Sequence, residues 1–303
     1  MSTTVKGTSS VSTFSLRSSI VRHPLQAYFM IAFLGTWLML LPLVLSQKGI
    51  GLLPYDLPDV AFQLIFIGSA YAGPALAAFL ITTLDSGRSG VRLLLRRIVL
   101  WRVGIQWYLV ALFAFLSIWL VAYSLIYRGE PLINLIQNWS LLISVFLPSV
   151  IFGIFIPSLG EEPGWRGFAL PRLQAGYGPL IGTAILGLLH GLWHLPVFFT
   201  QLGGPFTTTG FLTFVLTAIA GTYIYTWVFN HTRTSVLIAI LMHASSNAAN
   251  PLMTQLIPAD APLSPWVQSL VSTGWLNVIA FGSAAVILIL LTRGRLGYVD
   301  KDR

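Results

Sequence analysis

Residues 173–232 read LQAGYGPLIGTAILGLLHGLWHLPVFFTQLGGPFTTTGFLTFVLTAIAGTYIYTWVFNHT and contain no Asp, Glu, Lys or Arg. A membrane-spanning helix needs about 20 consecutive apolar residues, so this stretch has room for two. The Gly, Pro and Thr residues within 203–210 favour a turn between them. We therefore predict membrane-spanning helices at 179–200 and 211–230.

The whole chain has the composition of a membrane protein. Of its 303 residues, 55% are hydrophobic and 9% are charged, whereas an ordinary globular domain carries about 25% charged residues. The other charge-free stretches hold one span each, which predicts about eight helices of roughly 20 residues, at 27–46, 60–84, 106–127, 140–160, 179–200, 211–230, 235–256 and 273–292. The predicted fold class is an all-α polytopic membrane helix bundle. This composition excludes a soluble domain and a nucleic-acid partner.

The positive charges lie mainly in alternate loops. The two tails and the second, fourth and sixth loops contain nearly all the Lys and Arg residues, and the other loops contain only Lys48 and Arg128. Because cytoplasmic loops carry the excess of Lys and Arg, both termini are predicted to be cytoplasmic. The predicted organisation is a disordered cytoplasmic tail at 1–22, a single transmembrane domain at 23–295 and a cytoplasmic tail at 296–303.

The second loop, RSGVRLLLRRIVLWR at 88–102, has an amphipathic pattern. Arg88, Arg92 and Arg96 recur every four residues beside a face of Leu, Val and Trp. Such a helix lies in the membrane interface, where its basic side chains attract anionic headgroups. The predicted partner of Arg88–Arg102 is therefore the anionic lipid of the inner leaflet.

Three polar clusters fall within or at the ends of predicted spans, where ionisable groups are costly and mark functional sites. They are Glu161-Glu162-Pro163-Gly164-Trp165-Arg166, His190-Gly191-Leu192-Trp193-His194 and His243-Ala244-Ser245-Ser246-Asn247. In the first, Arg166 can neutralise Glu162 if Pro163 opens a new helical turn, which leaves Glu161 as a base. The alternative is a pair of interfacial acids that end a helix.

The histidines favour the interpretation in which Glu161 is a base. His190 and His194 are four residues apart and share one helical face, and His243 and Asn247 repeat this spacing on another helix. Imidazole is the commonest metal ligand and titrates near neutral pH, so it suits the activation of water. A single histidine in a span would more often bond a neighbouring helix, but two helices with the same pattern indicate a site. The chain has no cysteine, so a metal would be held by nitrogen and oxygen ligands.

Helix geometry sets a condition for these clusters to meet. At about 1.5 Å per residue, His194 lies deeper in the membrane than Glu161. The clusters converge only if the fourth span ends inside the membrane or the fifth starts later, and Pro157 and Pro163 allow such a break. Irregular backbone at that depth lines a cavity. We predict a cavity open to the cytoplasm, where Glu161, His194 and His243 converge.

In these three clusters, the sequence resembles the CPBP (Abi) family of CAAX-processing and bacteriocin-associated intramembrane proteases. EEPGWRG matches the family's EExxxR motif, and His243 with Asn247 matches its HxxxN motif. GLLHGLWHLPVF is similar to the remaining motif, an aromatic residue followed four residues later by His. The motif histidine is carried over to His194, because the Leu-Pro-Val-Phe that follows it matches the motif better there. The sequence departs from the motif in having His190 at the aromatic position, and His190 is then a supporting group or alternative ligand. The resemblance covers the core at about 154–250.

The resemblance implies an intramembrane endopeptidase that acts on a membrane-associated protein or peptide. Glu161 would polarise a water as general base, helped by His194, and Glu162 would pair with Arg166. The implied catalytic residues are Glu161, Glu162, Arg166, His194, His243 and Asn247, the last two holding the water and stabilising the oxyanion. The resemblance also suggests a multi-pass protein of the cell membrane, in a bacterium the cytoplasmic membrane.

The cofactor and the function class each have alternatives. One divalent metal, such as Zn²⁺, could be held by Glu161, His194 and His243, or the same residues could activate water without a metal. A transporter or proton-coupled carrier also places Glu and His in broken helices, although the sequence shows no two-fold repeat. A non-catalytic immunity or interaction protein on the same fold is the third alternative.

Overall fold

The computed structural model describes residues 16–258 and 261–299, and all the regular secondary structure in them is helical. This confirms the predicted all-α membrane helix bundle. The α-helices of this part of the chain are α1 (Leu16–Arg22), α2 (Pro24–Leu45), α3 (Asp59–Ala70), α4 (Leu76–Ile98), α5 (Ile105–Ile126), α6 (Glu130–Gln137), α7 (Leu147–Gly153), α8 (Leu159–Glu162), α9 (Leu170–Trp193), α10 (Thr208–His231), α11 (Val236–Leu256), α12 (Pro265–Ser272) and α13 (Trp275–Leu291). Turns of π-helix lie at Tyr71–Ala75, Leu142–Phe146, Ile154–Ser158 and Pro163–Ala169, and a 3₁₀ turn lies at Leu195–Phe199.

The long helices carry large apolar side chains on their outer faces. Leu38 in α2, Leu125 in α5 and Leu291 in α13 are 65%, 79% and 78% exposed. By length and composition, six helices of the described residues can cross a membrane, or seven if α12 and α13, bent by 71°, form one span. The predicted number of eight is not confirmed, because the broken run Leu142–Phe199, in which two spans were predicted, enters this number once. The cytoplasmic placement of the termini stays a prediction.

The predicted tails differ from the structure where it describes them. Residues 1–15 and 300–303 lie outside the described residues. The rest of the predicted N-terminal tail forms α1, because Ile20 packs against the buried core. At the other end, Leu296 is fully buried and its carbonyl oxygen accepts a hydrogen bond from Nδ2 of Asn230 at 2.9 Å. Packed residues therefore occur in both predicted tails, and the division of the chain into a tail, a transmembrane domain and a second tail stays a prediction.

Two departures from helical geometry interrupt the run Leu142–Phe199. Ile156 has extended backbone angles (φ −142°, ψ 108°), and Gly178 has φ 75° and ψ 168°. Each is followed by a proline, which disfavours the helical conformation in the residue before it. The break at Ile156 lies where Pro157 led us to expect one. The α-helix that follows the break at Gly178 ends at Trp193 rather than at the predicted residue 200, since Pro196 lies in the following 3₁₀ turn.

Close packing of small residues sets α9 against α10. A Cβ atom on Gly187 would lie 2.7 Å from Cα of Ile219, and one on Gly191 would lie 3.1 Å from Cα of Val215. Small residues at such positions let two membrane helices approach closely. This contact fixes the end of α9 that carries His190 inside the bundle.

Candidate active site

Glu161 and Glu162 form the end of α8, and both are buried, with exposed fractions of 2% and 0%. The helix lies between the π-helical turns Ile154–Ser158 and Pro163–Ala169. These interruptions lead the chain back into the bundle, so the carboxylates face the interior. Burial to this degree does not fit the alternative of two interfacial acids that end a helix.

Glu162 accepts two hydrogen bonds on one oxygen. Nη1 of Arg166 lies 2.8 Å from Oε1 of Glu162, and Nδ1 of His243 lies 2.7 Å from the same atom. The predicted pair between Glu162 and Arg166 is therefore present, and the guanidinium also lies 4.1 Å from the ring centroid of Tyr225. A buried ion pair needs such additional partners to offset the loss of hydration. Glu162 is thus engaged in holding two other side chains.

Glu161 has a different set of partners. Its Oε2 atom lies 3.1 Å from Nε2 of His190 and accepts a hydrogen bond from Nε1 of Trp165 at 3.3 Å. A carboxylate only accepts, so His190 donates from Nε2. Among the residues that the structure describes, both bonds go to Oε2, which leaves Oε1 of Glu161 to accept from a water.

His194 caps the end of α9 and is oriented by the backbone. Its Nδ1 atom lies 2.9 Å from the carbonyl oxygen of His190. Because a carbonyl oxygen only accepts, Nδ1 carries the proton. In the neutral ring, Nε2 of His194 is then left as an acceptor or a metal ligand.

The polar clusters meet around one cavity of about 180 Å³. Its polar wall consists of Arg166, His190, His194, His243, Ser246 and Asn247, and its aromatic wall of Phe115, Trp119, Phe214, Tyr225 and Phe281. At roughly 30 Å³ per molecule of liquid water, it can hold several waters. Glu161 reaches this wall through its bond to His190. The side of the membrane to which the cavity opens stays a prediction.

One group of side chains in the described residues has the arrangement of a metal site. Glu161, His190 and His194 each offer a ligand atom, and these atoms lie within 4.8 Å of one another. Two imidazoles and one carboxylate form a donor set that suits catalytic Zn²⁺. The predicted set had His243 in place of His190, but His243 is bound to Glu162 instead.

The structure thus gathers all the predicted site residues and changes the partners of two. His190, expected to support His194, contacts Glu161 directly, and His243 contacts the second glutamate. Sequence reasoning missed Trp165 and Tyr225. Trp165 lies one helical turn after Glu161, so the spacing that predicted the bond of Arg166 to Glu162 could have predicted this one too. No local signal points to Tyr225, which the fold brings to the site on α10.

Together, the bundle and its buried Glu and His side chains define a multi-pass membrane protein with a polar site inside the apolar interior. Residues 143–249 match the family model described as type II CAAX prenyl endopeptidase Rce1-like. The chain is also 29% identical over 148 residues to CAAX prenyl protease 2 of Methanococcus maripaludis, which corresponds to 47% of this chain and 50% of the relative. The chain therefore spans about half the length of this relative.

The segment that the family model matches carries all three motifs. Both similarities support the resemblance to the CPBP family of proteases that the motifs indicated.

Proposed function

We propose that the protein is an intramembrane endopeptidase that hydrolyses a peptide bond with a water activated by Glu161. The observation that carries this proposal is the position of Glu161. It is buried and bound to His190, beside a small cavity lined by His194 and His243. A buried carboxylate with one oxygen unbound among the described residues, joined by a hydrogen bond to the wall of a cavity that can hold several waters, suits general-base catalysis.

In the proposed reaction Glu161 acts first as a base and then as an acid. Glu161 takes a proton from the water as its oxygen attacks the carbonyl carbon of the scissile bond. Nδ1 of His243 donates to Glu162, so Nε2 accepts a hydrogen bond from the water and holds it. The amide of Asn247 donates to the carbonyl oxygen and stabilises its negative charge as the tetrahedral intermediate forms. When the C–N bond breaks, the carboxyl group of Glu161 returns the proton to the leaving amine. One water is consumed, and a carboxylate and a protonated amine are released.

Glu162 and Arg166 act on this reaction by positioning. Glu162 holds Nδ1 of His243, and Arg166 balances the charge of Glu162 in the buried interior. A histidine oriented by a carboxylate keeps one tautomer and one ring direction. The hydrogen bond from Nδ1 of His194 to the carbonyl oxygen of His190 restricts the tautomer and the ring direction of His194 in the same way.

Glu161, His190 and His194 are the residues that would hold a divalent metal such as Zn²⁺. Such an ion would supply Lewis-acid polarisation of the water and of the scissile carbonyl. The donor set fits this ion, and it differs from the originally expected set by the exchange of His243 for His190. Where Nε2 of His190 bound the ion, it could not also donate to Glu161, whereas the bonds of Glu162 to Arg166 and His243 involve none of the three ligands.

A groove of about 1000 Å³ adjoins the cavity and shares Asn247 with it. Phe62, Phe66 and Ile67 of α3 line one side, and Phe152 of α7 lies on another. We propose that this apolar groove takes the hydrophobic part of a membrane-associated protein or peptide substrate. The relative named CAAX prenyl protease 2 makes a lipid-modified peptide the first substrate to try.

The test uses the full chain in lipid nanodiscs with two substrate sets, prenylated peptides ending in a CAAX sequence and an unmodified peptide library. We expect mass spectrometry to detect products of endoproteolysis with the wild type, and no products with Glu161→Ala or His243→Ala. Glu130→Gln, in an exposed turn of α6, is the matched control and should cleave normally. If the wild type cleaves nothing, or Glu161→Ala cleaves equally well, the proposal is wrong. Substrate uptake by proteoliposomes without cleavage would favour the carrier.

A further inference from the structure

The amphipathic segment predicted in the second loop is the second half of α4. Gly87 has non-helical angles (φ 60°, ψ −152°), so the chain changes direction there and a new helix runs from Arg88 to Ile98. Only glycine adopts such a conformation readily. The segment Arg88–Ile98, here called the basic helix, therefore takes its direction independently of the membrane-spanning part of α4.

One face of the basic helix packs against the segment that carries the site. Leu94 is 4% exposed and belongs to the same buried cluster as Trp165. A Cβ atom on Gly167 would lie 2.6 Å from Cδ1 of Leu94, and Nη1 of Arg97 donates a hydrogen bond to the carbonyl oxygen of Gly167 at 3.3 Å. Gly167 lies in the π-helical turn Pro163–Ala169, next to Arg166. The helix thus supports the backbone that presents the Glu162–Arg166 pair.

The opposite face carries cations without counter-charges. Arg88, Arg92 and Arg96 are exposed, and no carboxylate among residues 16–258 and 261–299 lies within ion-pair distance of them. The nearest acidic residue along the chain, Asp85, is paired with Arg172 at 3.2 Å. Guanidinium groups bind phosphate through paired hydrogen bonds, so this face fits a phosphate-bearing partner.

Exposed apolar side chains on the basic helix and just after it identify the source of the phosphate. Leu93, Leu95 and Trp101 are 52%, 48% and 62% exposed. Arg88 and Arg92 flank a cleft of about 430 Å³ that Leu95 also lines. A basic surface edged by Leu and Trp matches the boundary between headgroups and acyl chains. A free phosphate or a soluble acidic peptide would leave these apolar side chains exposed.

We propose that Arg88 and Arg92, with Arg96, bind the headgroup phosphates of anionic phospholipids, and that the bound lipid holds the basic helix against Pro163–Ala169. Lipid occupancy then keeps the Glu162–Arg166 segment in its active position. The second part rests on the proposed peptidase function, whereas the lipid site does not.

The lipid site is tested with full-length protein and spin-labelled lipids. Electron paramagnetic resonance compares the motionally restricted fractions of phosphatidylglycerol and phosphatidylcholine. We expect the wild type to prefer phosphatidylglycerol. In Arg88→Gln/Arg92→Gln, this preference should fall by up to about fivefold for each arginine that is removed. Arg293→Gln/Arg295→Gln removes the same charge from exposed positions of the C-terminal turn and should keep the preference. Arg88→Lys/Arg92→Lys should retain most of it and controls for folding.

Equal binding of the two lipids by the wild type, or an equal loss in both Gln double variants, would overturn the lipid site. Competition by free glycerol phosphate or by an acidic peptide as strong as by phosphatidylglycerol vesicles would also overturn it. The link to the site is read by hydrogen exchange of residues 163–169 in nanodiscs. Exchange should be slower with phosphatidylglycerol than with phosphatidylcholine in the wild type only, and equal rates contradict the link. Neither readout depends on cleavage.

Discussion

Oε1 of Glu162 lies 2.7 Å from Nδ1 of His243, although 81 residues separate the two along the chain. The same oxygen accepts from Arg166, so the second glutamate of the pair joins α8, the following π-helical turn and α11 at one atom. The first glutamate contacts α9 through His190. The adjacent carboxylates of one short helix therefore have separate partners, and the proposed division into a positioning group and a base rests on this difference.

Replacing Glu162 should destabilise the protein strongly. Glu162→Gln leaves Arg166 with its charge in a buried position, and removal of one partner of a buried ion pair costs about 3–5 kcal/mol. Unfolding in detergent, followed by tryptophan fluorescence, measures the loss. Glu130→Gln removes a surface carboxylate and should change the free energy of unfolding by less than about 0.5 kcal/mol. Equal stability of Glu162→Gln and the wild type would contradict a positioning role for this pair.

The ligand set predicts which variants keep a metal. If Zn²⁺ is added to the purified protein, we expect one ion per chain to bind in the wild type and in His243→Ala, because His243 bonds to Glu162 rather than to the cluster of ligand atoms. His190→Ala and His194→Ala each remove one of the imidazole ligands and should lose the ion. Elemental analysis after gel filtration counts it. Loss of zinc in His243→Ala together with retention in His190→Ala would contradict this set and favour Glu161, His194 and His243, the ligands predicted from the sequence.

Asn247 should affect the rate and leave the fold intact. It lines both the cavity and the apolar groove, and its side chain is exposed. Removal of one amide donor to an oxyanion lowers kcat by about 10²–10³-fold, so Asn247→Ala should show this loss at an unchanged unfolding midpoint. Asn250→Ala, on the same helix and exposed, is the control. A similar kcat in Asn247→Ala and Asn250→Ala would remove Asn247 from the mechanism.

Gly164 is a test of the packing behind the site. A Cβ atom there would lie 2.4 Å from the hydroxyl oxygen of Tyr28 and 2.6 Å from the carbonyl oxygen of Pro74. Gly164→Ala should destabilise the protein by about 1–3 kcal/mol, the range for overpacking. Gly176→Ala meets no atom within 4 Å and serves as the matched change. Equal unfolding midpoints for the two variants would show that the π-helical turn Pro163–Ala169 is not packed as closely as described.

The sequence predicted the helices well because the membrane leaves few choices. Charge-free runs of sufficient length must be helical there, and α2, α5, α10 and α11 begin and end within about three residues of their predicted bounds, an offset ordinary for helix ends. The break at Ile156 could be predicted from Pro157. The number of spans stays open, since length and composition do not divide the interrupted run Leu142–Phe199 into two.

The choice of partners within the site could not be predicted in the same way. Helical spacing placed His190 and His194 on one face, but it cannot say which of them reaches Glu161. That depends on how α8 and α9 pack, through contacts far apart in the chain. The same holds for His243, which bonds to the glutamate that local spacing had already assigned to Arg166. Motif similarity favoured His194, whereas the tertiary structure gives His190 the direct contact.

The central claim is that Glu161 activates the water, and the single-turnover rate of peptide cleavage by Glu161→Gln tests it most directly. This change keeps the size of the side chain and a hydrogen-bonding group beside His190, but it removes the base. We expect the rate constant to fall by about 10²–10⁴-fold, as for the loss of a general base, while the unfolding midpoint stays near that of the wild type and Glu130→Gln cleaves normally. A rate constant for Glu161→Gln within a factor of about three of the wild type would contradict the claim.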